Sequence, residues 1–265
     1  MSMPLSDAYL QRFSGIGRLY GQQALMHLAQ AHFVVVGLGG VGSWTAEALA
    51  RSGVAQITLI DLDDICVTNI NRQVHALSST IGQSKVKALS ARLKDINPEI
   101  IVHGIEDFLD FDNIKELIGP QHHVVIDAID AVQIKAGLVA YCKARKIRII
   151  TVGSAGGKTD PTQISCTDLA NTISDPMMSK VRYLLYKRYN FSKNEQRRFR
   201  VDAVYSTQQA VYPQPMGEVC QQKSAEMDGV RLDCTAGFGS SVMMTASMGF
   251  VAAEQAIKRY LQVSL

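Results

Sequence analysis

The sequence of 265 residues predicts an α/β fold: a doubly wound, mostly parallel sheet with a C-terminal appendage packed on it. Three observations carry that expectation. From residue 31 to about 153, short apolar runs alternate with amphipathic stretches. The runs are apolar throughout, as in strands covered on both faces. The first of them passes through a glycine cluster straight into a helical pattern, VVVGLGGVGSWTAEALARSG at Val34–Gly53.

The elements follow in order. Residues 1–30 read as an N-terminal helical arm, 31–153 as the sheet domain and 154–265 as a C-terminal extension. Strands are expected at His32–Gly37, Gln56–Asp61, Ile100–Ile105, Val124–Asp127 and Arg148–Val152. Helices are expected between them at Val41–Arg51, Lys85–Asp95, Asn113–Ile118 and Ala131–Lys146. Gly53 and Asn97-Pro98 supply stop signals. Beyond Gly153 the alternation weakens. Gln163–Asp168, Val201–Ser206 and Val211–Tyr212 read as short strands, Pro176–Arg188 as a helix, and Gly239–Leu261 as a closing helix.

Hydrophobic content of 47% and charged content of 19% describe an ordinary soluble globular chain. The start, MSMPLSDAYLQRF, lacks a basic stretch followed by an apolar run, so a cytoplasmic protein is expected. Five cysteines, none closer than 14 residues to the next, suit free thiols in a reducing compartment. Thr235–Ala253 carries no charge and is long enough to cross a bilayer. Its glycines, serines and threonines favour a closely packed buried helix instead. The net charge of +3 is uneven: residues 178–200 carry +7 and the rest of the chain −4.

Gly37, Gly39 and Gly42 fit G-x-G-x-x-G, with Gly40 and Ser43 in the same turn, the spacing that brings backbone against phosphates at a helix N-terminus. Asp61 ends the second strand, 19 residues after Gly42, where an acid bonds a ribose. That pairing leaves NAD and ATP open. Asp63, Asn69, Arg72 and Gln73 lie just beyond, Lys85 heads the next helix, and Asp127 and Asp130 close a later strand. A nicotinamide site needs a fairly neutral floor. Cations and carboxylates in this order suit clamping a triphosphate with Mg²⁺ and stabilising a leaving pyrophosphate. The plain alternatives are solvated surface charges for Arg72 and Lys85 and a turn cap for Asp127.

GLGGVGS at 37–43, DLDD at 61–64, N-x-N-R-Q at 69–73, G-Q-x-K at 82–85 and D-x-x-D at 127–130 resemble the ubiquitin-activating superfamily in its bacterial ThiF/MoeB branch. The resemblance implies carboxylate adenylation by ATP, with an arginine finger at Arg72 and a phosphate lysine at Lys85. It also implies a magnesium-linked acid at Asp130 and a ribose contact at Asp61. It implies a homodimer, with an N-terminal arginine lent across the interface, Arg18 or Arg12, of which Arg18 is preferred.

Sulfur-carrier activators of that branch bear two C-x-x-C zinc pairs, which this chain lacks. SAGGKTDPTQISCTDLANTISDP at 154–176, VDAVYSTQQAVYPQ at 201–214 and LDCTAGFGSSVMMTASMGFVAA at 232–253 resemble instead a tRNA-modifying branch. Its members adenylate the threonyl carboxylate of threonylcarbamoyladenosine beside the anticodon and close a ring with net loss of water. The alternative is adenylation of the C-terminal glycine of a ubiquitin-like sulfur carrier. A monovalent cation and cysteine-desulfurase or sulfur-acceptor partners are further possibilities of the family. The basic segment interleaves Tyr183, Tyr186, Tyr189, Phe191 and Phe199 with cations, a mixture used for phosphate contact and base stacking. Lys180, Arg182, Lys187, Arg188, Arg197, Arg198 and Arg200 are the candidate tRNA contacts, and no DNA partner is expected. The same pattern also fits an amphipathic helix with solvated cations. Among the cysteines, only Cys234 stands beside an acid, Asp233, near the last helix; a small buried residue is its plain reading.

Overall fold

The structure is a computed structural model, and it describes residues 5–194, 197–214, 218–221 and 238–264. Two helices, α1 (Asp7–Tyr20) and α2 (Gln22–Leu28), precede β1 (His32–Val36). Then come α3 (Gly40–Arg51), β2 (Gln56–Ile60), α4 (Lys85–Ile96), β3 (Ile101–Ile105) and α5 (Ile114–Leu117). β4 (Val124–Asp127), α6 (Val132–Arg145) and β5 (Arg148–Val152) complete the alternation. After them lie β6 (Ile164–Asp168), α7 (Pro176–Arg188), β7 (Asp202–Ser206), the short pair β8 (Tyr212–Pro213) and β9 (Val219–Cys220), and α8 (Val242–Ser264).

Seven strands form one sheet in the order β3-β2-β1-β4-β5-β7-β6. All neighbours pair parallel except β6, which runs antiparallel on the edge beside β7. The C-terminal segment therefore packs on the sheet and also extends it. Valines and isoleucines fill β1, β2, β4 and β5 because both faces are covered, and each is buried along nearly its whole length. One face packs α3, α4 and α8 around Phe33, Leu49, Leu59, Leu89 and Met248. The other packs α6 and α7 around Val34, Val125, Leu138 and Leu185.

The uncharged stretch ends inside α8, which lies along α3. A Cβ at Gly249 would sit 2.7 Å from the Val41 carbonyl oxygen, so glycine is what lets the two backbones meet. Thr45 Oγ1 donates to the Gly249 carbonyl there (3.2 Å). Among the described residues no helix is long and apolar enough to cross a membrane. The helix begins three residues later than the pattern suggested, where the Ser241 carbonyl accepts the Met244 and Thr245 amides.

The strand order reverses between β1 and β4. Open α/β sheets bind ligands at such a switch point, beyond the carboxyl ends of the strands.

Candidate nucleotide site

The glycine turn leaves β1 at this switch point and becomes the N-terminus of α3. Gly37 has φ +85°, a conformation that favours glycine, and a Cβ on it would stand 2.9 Å from the Ala128 carbonyl oxygen at the end of β4. A Cβ on Gly42 would collide with the Gly37 carbonyl oxygen. Gly39 has open space at its Cβ position and caps α3 with no side-chain bond. The α3 amides at this end therefore face outward with the positive end of the helix dipole, a ready anion site. Ser43 is fully buried, its Oγ 3.4 Å from the Val74 amide.

Asp61, at the end of β2, braces this turn. Its Oδ2 accepts the Leu38 amide (2.6 Å) and its Oδ1 the Asp63 amide (2.9 Å). Lys85 is buried, with Nζ 2.6 Å from Asp63 Oδ2 and 3.9 Å from Asp61 Oδ1. Gln83 and Asp63 carbonyls tie the 61–65 strand end to the head of α4, which sets Lys85 there.

Arg72 is placed by contacts far apart in sequence. Its carbonyl accepts Trp44 Nε1 (3.0 Å) from α3 and Thr245 Oγ1 (3.1 Å) from α8. Its Cγ lies 3.4 Å from where a Cβ on Gly40 would be, so the side chain rises beside the α3 N-terminus. Nη1 donates to the Thr68 carbonyl (2.6 Å) and to Asn71 Oδ1 (3.0 Å). Asn69 is buried and accepts the Cys66 amide, holding the turn before Arg72. Gln73 is buried, with its side-chain oxygen unpartnered among the described residues. His75 is equally enclosed. Burial, with Lys85 and Arg92 nearby, pushes its imidazole down to about 4.

Asp130 is exposed on the loop that leaves β4, two residues past the Ala128 carbonyl that abuts Gly37. No cluster of three metal-ligating side chains occurs among the described residues. A lone carboxylate fits a Mg²⁺ held mainly by phosphates and water.

Asp127 departs from the expectation of a nucleotide contact. It is fully buried, ion-paired to an equally buried Lys135 (2.9 Å) on α6 and hydrogen-bonded by Thr151 Oγ1 (2.7 Å) on β5. Its Oδ1 also accepts the Ile129 amide. The carboxylate is spent on shaping the loop, and the turn-cap alternative describes it. Sequence reasoning passed over Lys135, which reads as one more helix lysine. It equally missed Lys158, buried with Asp175 (3.8 Å) and donating to the Ser206 carbonyl (2.8 Å).

Among the candidate tRNA contacts, Lys180, Lys187, Arg188, Arg197, Arg198 and Arg200 are exposed. Arg182 differs: its guanidinium is half-buried and donates to the Thr172 carbonyl (2.9 Å) and hydroxyl, fastening α7 to the preceding turn. Phe199 is 4% exposed and belongs to the core, so it offers no face for a base. Arg18 is exposed on α1. That helix is anchored by Tyr9 Oη to the Gly53 carbonyl, past the end of α3 opposite the glycine turn. Arg12, its alternative, is exposed and bonds the Ala8 carbonyl. Cys234 lies outside the described residues. Cys142 and Cys166 are pushed up by burial to about 12 and 11, which makes neither a thiolate nucleophile.

Comparison with known proteins adds whole-chain matches. The model of the ThiF family matches residues 14–264. A tRNA threonylcarbamoyladenosine dehydratase of Escherichia coli is 49% identical over 261 residues, 98% of this chain and 97% of that one. The Haemophilus influenzae protein of the same name is 52% identical over 256 residues, 97% of this chain and 95% of that one. A crystal structure of the E. coli tRNA N6-threonylcarbamoyladenosine dehydratase TcdA in complex with ATP superposes with a TM-score of 0.88 at 46% identity, covering 98% of each chain.

Proposed function

The chain belongs to the ThiF family, and on that premise we propose that it is an ATP-dependent dehydratase of threonylcarbamoyladenosine in tRNA. One observation carries this reading: the likeness to enzymes of that name spans practically the whole of both chains, C-terminal half included. A sulfur-carrier activator is disfavoured by the cysteines, which offer no C-x-x-C pair for zinc.

The chemistry follows from the site. The threonyl carboxylate attacks the α-phosphorus of ATP; pyrophosphate leaves and an acyl-adenylate forms. A group already on the same nucleoside then attacks the acyl carbon. AMP departs with the former carboxylate oxygen, the attacking group gives up its proton, and the net change is loss of one water. Both reacting partners of the second step share one nucleoside, so proximity lowers its barrier without an enzyme nucleophile.

ATP phosphates fit the α3 N-terminus at Gly39, Gly40, Gly42 and Ser43, with Asp61, Asn69 and Gln73 toward the nucleoside. Arg72 meets charge developing on the departing pyrophosphate. Lys85 exchanges its Asp63 partner for a phosphate oxygen. Mg²⁺ on Asp130 would neutralise phosphate charge. The exposed cations of 178–200 draw in tRNA phosphates. Two copies pair so that Arg18 of one reaches the other's site.

The test is pyrophosphate release with tRNA carrying threonylcarbamoyladenosine and with the same tRNA lacking it. Release with the modified tRNA alone, with one water lost from that nucleoside by mass, is the expected result. Release with neither tRNA, but with a Gly-Gly-tailed protein, would move the chain to the sulfur-carrier branch.

A further inference from the structure

Away from the glycine turn, on the face covered by α6 and α7, the described residues line an open cavity of about 740 Å³. Phe111, Tyr141, Tyr189 and Phe191 supply its rings. Lys143, Arg197 and Arg198, all exposed, supply its charge, and no carboxylate is among the described residues lining it. Its size falls within the range of small-ligand sites.

The rings are seated deliberately. A Cβ at Gly137, in the middle of α6, would stand 2.5 Å from Phe111 Cε1 and 3.3 Å from Tyr189 Oη. A mid-helix glycine weakens a helix relative to alanine. Here it admits two rings, of which Phe111 is still 48% exposed and so adds little to the core. Phe191 stands edge-on to the buried Phe199 (4.9 Å, 81°). Asp168 accepts the Phe199 and Arg200 amides (2.9 and 2.7 Å), and Arg200 is held at φ +56°. The backbone just after Arg197 and Arg198 is thereby fixed.

We infer that this cavity is an RNA subsite that takes an unpaired nucleotide of the tRNA. Its base lies against Phe111, Tyr189 and Phe191, and the flanking phosphates meet Lys143, Arg197 and Arg198. The inference rests on the tRNA reading above and extends it to α6 and to the loop after β3, outside the basic segment. Exposed rings give every base a stacking face, and the three exposed cations on the rim match a polyanion. A protein partner would meet the same rings but has no need of three clustered cations.

The experiment measures tRNA affinity of the full-length protein against salt, with 4-thiouridine cross-linking mapped by mass spectrometry. Phe111→Ala should weaken tRNA binding roughly 10-fold with an unchanged salt slope, because a stacking contact is lost. Phe111→Tyr should restore it. Arg198→Glu should weaken binding and lower the salt slope by at least about one unit. ATP affinity and Tm should stay at wild-type values in all three. Cross-links should fall on Tyr189, Phe191 or Phe111. Wild-type tRNA affinity in both Phe111→Ala and Arg198→Glu, with cross-links elsewhere, overturns the inference and returns the cavity to a protein partner. The dehydratase reading fails separately: tRNA would bind, sensitive to Phe111, yet lose no water.

Discussion

Arg72 and Lys85 both lie near the glycine turn but in different electrostatic surroundings, and that difference separates their roles. Lys85 is buried between Asp61 and Asp63 and already neutralised, so a phosphate reaching it must displace a carboxylate. Arg72 is half-exposed, its backbone gripped at the carbonyl by Trp44 and Thr245 and its Nη1 resting on the Thr68 carbonyl and Asn71 Oδ1. A half-exposed guanidinium resting on these neutral oxygens suits charge that appears only during reaction. Arg72→Ala should therefore lower kcat by on the order of 10²–10³ while the Kd for ATP stays within about threefold. Lys85→Ala should raise that Kd at least ~10-fold as well as slow turnover, because it also strands two carboxylates beside the phosphates. Isothermal titration with ATP and single-turnover assays check both. Equal loss of affinity and rate in Arg72→Ala would remove the finger assignment.

At the level of elements, the loop bearing Asp130 owes its shape to a buried ion pair. Asp127 on β4, Lys135 on α6 and Thr151 on β5 close a network with no exposure to water, and Lys135 Nζ also donates to the Asp127 carbonyl (3.1 Å). Removing one partner of such a pair leaves a buried charge uncompensated. Lys135→Met should destabilise the fold by about 3–5 kcal/mol in urea unfolding at neutral pH. Adding Asp127→Asn should recover part of that loss. A single mutant within about 1 kcal/mol of wild type would show that the pair is dispensable. Nothing in the sequence flags Lys135, since its partner on β4 is found only once the sheet is assembled. The same limit hid Trp44 and Thr245 behind Arg72. The alternation itself was legible, because an apolar run ending in glycine and a helical period are local signals: β4, β5 and α7 have the bounds expected, and β1 and α3 differ by one residue. β7 and the antiparallel edge strand β6 were legible as strands but not as extensions of the sheet, since pairing partners leave no trace in a five-residue run.

For the molecule as a whole, the proposed pairing of two copies turns on where α1 holds Arg18. Tyr9 and Phe13 pin α1 around Gly53, beyond the C-terminal end of α3, while the glycine turn lies at its other end, ~18 Å away along a helix of 12 residues. Arg18 extends from that anchored arm into solvent beside an exposed Leu19, and its Nη1 lies 3.5 Å from Ser14 Oγ. On the proposed pairing, Arg18 completes the site of a second copy related by a twofold axis. The assignment has a test that no intramolecular role imitates. Arg18→Ala and Arg72→Ala proteins, each inactive alone, are mixed under conditions that let subunits exchange. Half of a random mixture is hybrid, and each hybrid has one site with both arginines intact, so about a quarter of wild-type dehydration activity should return. An arginine acting within its own chain leaves every site in the hybrid short of one residue, and the mixture stays inactive. Sedimentation of the mixture distinguishes that outcome from failed exchange, since a hybrid of tagged and untagged chains must be seen before inactivity counts. Recovery near a quarter fixes Arg18 as the partner's contribution. Persistent inactivity in proven hybrids assigns it to its own chain, and an Arg18→Ala protein that is active alone returns the role to Arg12.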